Sequence, residues 1–66
     1  MIELTRQREA RGWNKTELAR EAGIQQSVVG MIENRRLTAP YPAQLHKLAK
    51  ALDFKEEPEF LLREAD

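Results

Sequence analysis

Apolar residues recur along this chain in short clusters at helical spacing, each closed off by Gly, Asn or Pro, and no segment alternates with period two as a half-buried strand would. The fold is thereby confined to a packing of short helices. The spacing predicts five, over residues 2–11, 15–22, 25–34, 42–52 and 58–64, in one all-α domain covering 1–66. Gly12 is placed to stop the first helix, because glycine accepts a positive φ without a Cβ penalty. Asn14 followed three residues later by Glu17 has the spacing of a capping box, so a second helix starts at Lys15. Leu18, Ala19 and Ala22 then fall within roughly one hundred degrees of one another, and the small alanines let another helix come close. Gly23 ends this helix, Ile24 plugs the corner and Gln25 opens the next. Two short helices joined by a Gly turn make a helix-turn-helix unit. Pro42 suits the first position of a fourth helix, whose Leu45, Leu48, Ala49 and Leu52 share a stripe, and Pro58 opens a short fifth.

Composition removes several functions. A chain of 66 residues has a thin core, burying roughly 60% of what its unfolded form exposes. With no Cys and one His, at His46, it has neither a thiolate metal cage nor a disulfide framework, which excludes zinc-dependent DNA readers. No cofactor is called for. A Cys nucleophile, a Gly-rich phosphate loop and a His/Glu/Asp cluster at ligand spacing are all missing from the sequence, so no catalytic residue is assigned and an enzyme is not expected. No run approaches the ~18 apolar residues of a membrane span and no leader resembles a signal peptide, so a cytoplasmic protein is expected.

Net charge is zero, but its distribution is uneven. Through Lys50 nine Lys/Arg face five Glu, a surplus of four positive charges, while the remainder carries two cations against six acids. Such asymmetry suits a protein that turns one face to phosphates and points its acidic end away; two ordinary solvated faces would look the same.

On a helical wheel begun at Gln26, the residues Ser27, Gly30, Met31 and Asn34 lie between about forty and one hundred and forty degrees, and Val28, Val29 and Ile32 at about two hundred to three hundred. One side suits a core. The other, polar or small, suits a major groove ~12 Å wide. A Gln26 amide can donate to adenine N7 and accept from its N6 amino group together, and Ser27 can serve either partner. Gly30 costs ~0.5–1 kcal/mol in a helix interior relative to Ala, which points to close approach, either by DNA or by another helix. Met31 can touch a thymine methyl or simply pack.

Phe60, Leu61 and Leu62 cannot all face inward from one helix, so at least one, with Leu62 preferred, is left for a second copy. A two-fold homodimer would set its reader helices ~34 Å apart on a roughly palindromic operator.

These residues also resemble a known family, the lambda-repressor-like or XRE helix-turn-helix regulators. The resemblance runs from about Leu4 to Leu62. It is carried by Leu4, Arg8, the segment from Trp13 through Ala19, Gly23-Ile24, the segment from Gln26 through Asn34, and that from Leu45 through Leu52. It implies a compact lambda-repressor-like fold and a transcriptional regulator, a repressor of bacterial or phage origin, with double-stranded DNA as partner. By the resemblance Asn14 and Lys15, with Thr16 beside them, grip phosphate and support the reader; Gln26 and Ser27 read bases, with Gln25 adjoining; and Asn34, Arg35 and Arg36 hold phosphates. It also implies an ion pair of Arg8 with Glu33 between the first and third helices. Two positions depart from the pattern: Lys15 stands where the family usually has Gln, and Arg35 where it commonly has Gly. The other class of function is a protein-interaction module on the same scaffold, such as an antitoxin or anti-repressor, which as a pure interaction module would show no salt-dependent duplex binding.

Overall fold

A computed structural model describes residues 1–65; Asp66, last of the expected domain and of its acidic end, lies outside the described residues. Its elements are α1 (Glu3–Ala10), α2 (Lys15–Ala22), α3 (Gln26–Glu33), α4 (Pro42–Ala51) and a 3₁₀ helix (Pro58–Leu62). The all-helical expectation holds. The five-helix count does not, since the last element is five residues of 3₁₀ rather than an α-helix.

Its shortening has a local cause. Pro58 brings no N–H, the turn closes through Phe60 N–H donating to the Glu57 carbonyl at 2.9 Å, and Arg63 already has extended angles of φ −80, ψ 154. From there the chain runs beside the N-terminus. Ile2 and Glu64 form an antiparallel bridge, Glu3 N–H donates to the Arg63 carbonyl at 2.7 Å and Ala65 N–H to the Met1 carbonyl at 2.9 Å. This pairing satisfies a free donor at the start of α1, where Ile2 supplies no side-chain cap. The expected segment 58–64 is therefore cut at Leu62, and 2–11 begins at Glu3.

Each α-helix ends in the same motif. The N–H of the residue that follows a left-handed one returns to a carbonyl five residues back: Trp13 to Arg8 at 3.2 Å, Ile24 to Ala19 at 3.0 Å, Arg36 to Met31 at 2.9 Å and Phe54 to Ala49 at 2.8 Å. The left-handed residue that closes it is Gly12 (φ 71), Gly23 (φ 73), Arg35 (φ 66) and Asp53 (φ 52) in turn. Glycine takes this conformation freely, whereas Arg35 holds it at a cost of about 1–2 kcal/mol. These closures stop α1 at Ala10, α3 at Glu33 and α4 at Ala51, one residue short of each expected end, while α2 matches its expected 15–22. Gln25, expected to open α3, is its extended N-cap.

α2 packs on α3 and α4, and the 3₁₀ helix packs on α1 and α4. Leu4, Leu18, Val29, Ile32, Leu48, Leu52 and Leu61 are the most deeply buried side chains, so every element contributes to one core. Trp13, Ala22, Ile24 and Val28 pack around it half-buried. Three consecutive residues of a 3₁₀ helix point some 120° apart. Leu61 accordingly goes fully inside, Phe60 is half-buried with the Arg63 guanidinium 4.1 Å from its ring centroid, and Leu62 is half-buried against the core. Leu62 is thus not the exposed residue that the sequence predicts. No helix among the described residues is long and apolar enough to cross a membrane.

Candidate DNA-binding surface

The helix-turn-helix pair is positioned by its caps. Asn14 Oδ1 accepts from Glu17 N–H at 2.7 Å and Glu17 Oε1 accepts from Asn14 N–H at 2.8 Å, so α2 starts at Lys15 and the Asn14 Nδ2 donors face outward. Lys15 and Thr16 are exposed in this first turn. Eight residues later Gly23 reverses the chain, and Gln25 leads into α3.

α3 divides as the wheel predicts. Val29 and Ile32 are fully buried, and Val28 is half-buried against the core. On the opposite side Gln26, Ser27 and Asn34 are exposed, Met31 is 38% exposed and Gly30 is partly exposed. A Cβ built on Gly30 would meet nothing within 4 Å, so no neighbouring helix requires glycine there. Of the two expected reasons for Gly30, room for a helix is ruled out.

Arg8 holds α3 in place. Its Nε and Nη2 donate to the two carboxylate oxygens of Glu33 at 2.8 and 3.0 Å, and its Nη1 donates to the Trp13 carbonyl at 2.8 Å. Side-chain exposure is 11% for Arg8 and 5% for Glu33, so the fork is shielded from solvent. The Glu33 hydrogen bonds hold the Arg8 guanidinium above its ordinary pKa, against the desolvation that would lower it. One side chain therefore ties together α1, the approach to α2 and the end of α3.

Beyond α3, Asn34 Oδ1 accepts from Arg36 N–H at 3.0 Å, which spends the oxygen on the turn and leaves the amide donors outward. Arg36 is exposed and makes no ion pair among the described residues, whereas Arg35 pairs with Glu64. Glu64 also lies 3.5 Å from the N-terminal ammonium. Sequence reasoning missed this junction, as it missed Arg11, whose Nη2 donates to the Leu52 carbonyl at 2.7 Å while its guanidinium sits 5.3 Å from the Trp13 ring centroid. Both interactions join residues far apart in the chain, and no local pattern announces them.

A capped helix, a left-handed glycine turn and a second helix with a buried back and an open polar front place this chain in the helix-turn-helix class. The family model described as helix-turn-helix matches residues 4–60. The chain belongs to that family, in its XRE branch. Its members are DNA-binding transcription regulators. No curated protein and no solved structure gives a significant match to the chain.

Proposed function

We propose that this protein binds double-stranded DNA sequence-specifically, with α3 in the major groove, and regulates transcription as a repressor. The observation that carries the reading is the division of α3. Its outward side offers Gln26, Ser27, Gly30, Met31 and Asn34, while Val29 and Ile32 anchor it in the core and the Arg8–Glu33 fork fixes its far end. A rigid helix presented this way can lay amide and hydroxyl groups against base edges without moving as it docks.

Phosphate contacts would come from the rim. Asn14, Lys15 and Thr16 at the start of α2, Gln25 at the turn, and Asn34, Arg35 and Arg36 after α3 supply amide, hydroxyl, ammonium and guanidinium donors that fix register without reading sequence. Arg36 makes no ion pair among the described residues, whereas Arg35 would have to leave Glu64. Lys15, where the family usually has Gln, reaches a phosphate or a guanine. Repression is the simplest consequence of seating a body 24 × 22 × 19 Å across a promoter, since it occludes the groove to other proteins. A bacterial or phage regulator working in the cytoplasm is the setting that fits this reading.

The working unit is a homodimer on a roughly palindromic operator. Support comes from Leu62, which lines an open cavity of about 290 Å³ together with Ile2, Ile32, Leu37, Thr38 and the paired Arg35 and Glu64, a surface that a second copy can cover. Selection of bound duplexes from a random pool at moderate salt tests the function. Enrichment of one half-site motif, bound with an affinity that falls linearly in log salt, is expected. Recovery of random sequence would overturn it.

A further inference from the structure

One acid of the anionic segment is folded back onto the turn that follows α3. Two hydrogen bonds flank Glu64 and fix its backbone, from Glu3 N–H to the Arg63 carbonyl at 2.7 Å and from Ala65 N–H to the Met1 carbonyl at 2.9 Å. Neighbouring side chains of an extended chain leave on opposite faces. Arg63 turns its guanidinium to the Phe60 ring, 4.1 Å from the centroid, and Glu64 sends its carboxylate the other way, where Oε1 pairs with Arg35. Its Oε2 lies 3.5 Å from the N-terminal ammonium. Arg35 is fixed from its own side as well. It is the left-handed closure of α3, with φ 66, and its N–H donates to the Ile32 carbonyl at 3.2 Å. Both members of the pair are thus set by backbone, and together they form the polar edge of the cavity lined by Ile2, Ile32, Leu37 and Leu62. Arg36, one residue on, has no ion-pair partner among the described residues.

We infer that Glu64 occupies Arg35 in place of a DNA phosphate, an autoinhibitory contact through which the acidic end of the chain sets how tightly the protein holds any duplex. This rests on the DNA-binding reading above, in which Arg35 grips phosphate. Carboxylate and phosphate oxygens engage the same guanidinium donors, so the two compete for one side chain. The contact is also of a strength that DNA can displace. Its side chains are 57% and 52% exposed, unlike the shielded Arg8–Glu33 fork, and exposed pairs favour the closed form by only about two- to fivefold. Affinity for a duplex falls in proportion to the fraction of molecules in which Arg35 is released. Because phosphate carries no sequence information, operator and random DNA are affected alike.

Glu64→Gln tests this, since it removes the charge and keeps the backbone pairing with Ile2. At moderate salt its affinity for the selected operator and for random duplex should rise by about two- to fivefold over wild type. Arg35→Ala should bind both duplexes more weakly, and adding Glu64→Gln to it should change nothing further, because the cycle of single and double variants isolates the pair. Glu57→Gln takes the same charge from an exposed position of the same segment and should bind as wild type does. Three results would overturn the inference while leaving the DNA-binding reading intact: a Glu64→Gln protein no tighter than wild type, an equal gain in the Arg35→Ala background, or an equal gain from Glu57→Gln. The last two would show a general effect of net charge. Absence of any salt-dependent duplex binding by the wild type would overturn both readings.

Discussion

Removing the Glu33 carboxylate should unfold this protein far more readily than removing any exposed acid. Glu33→Ala leaves the Arg8 guanidinium, 11% exposed, without the two hydrogen bonds of 2.8 and 3.0 Å that it makes to that carboxylate. Truncating one partner of a buried pair costs about 3–5 kcal/mol, chiefly because the other charge stays buried alone. Here the loss is smaller, because Arg8 keeps the Trp13 carbonyl at 2.8 Å and lies 3.9 Å from Glu9. About 2–3 kcal/mol remains. A domain of 66 residues has roughly 3–10 kcal/mol in all, so this is a large share. At about 4–8 °C per kcal/mol, thermal unfolding followed by circular dichroism should shift down by about 10–20 °C. Glu21→Ala, at an exposed position of α2, should stay within about 0.5 kcal/mol of wild type. Arg8→Met combined with Glu33→Leu should recover much of the loss, since replacing both members removes the stranded charge. Equal melting temperatures for Glu33→Ala and Glu21→Ala would refute the reasoning.

Other expectations follow from the caps and the charges. Arg35→Gly should be about 1 kcal/mol more stable than Arg35→Ala, because both lose the Glu64 pair and only glycine relieves φ 66; equal denaturation midpoints would contradict the left-handed cap. Gly30→Ala should raise the melting temperature, by about 0.5–1 kcal/mol of helix stability, since the added methyl meets nothing within 4 Å; a lower one would mean the site is packed. Arg6 and Gln7 hold the Glu3 carboxylate below its ordinary value of 4.5. Its share of stability is then fully present above that value and lost as pH falls through the lowered one, so Glu3→Gln should flatten the acid limb of stability against pH; an unchanged limb would contradict the assignment.

The elements legible in the sequence are those marked by residues with one conformational purpose. Gly12 and Gly23 sit at positive φ, Asn14 and Glu17 close a capping box, and Pro42 opens α4. The third and fourth stops are less legible because Arg35 and Asp53 do glycine's work without glycine's signature. The pairing of Ile2 with Glu64 joins the two ends of the chain, and a single bridge produces no alternating pattern. The same division holds for the site. Helical periodicity separates Val29 and Ile32 from Gln26 and Ser27 correctly, since burial follows angle around the helix. Which cation remains free does not follow from periodicity: Arg35 and Arg36 are adjacent and chemically alike, yet only Arg35 meets Glu64.

The central claim is that α3 reads bases while the residues around it grip phosphate, and substitution of Gln26 tests it most directly. Gln26 is exposed at the first position of α3. Gln26→Ala should cost about 1–3 kcal/mol on the selected operator and relax preference at one symmetric position, with affinity for random duplex nearly unchanged. Arg36→Ala, measured alongside, should weaken operator and random duplex alike and flatten the slope of log K against log salt by about one for each phosphate that the guanidinium neutralises. A Gln26→Ala protein that keeps the full operator preference of wild type would contradict the account, because α3 would then not be the reader.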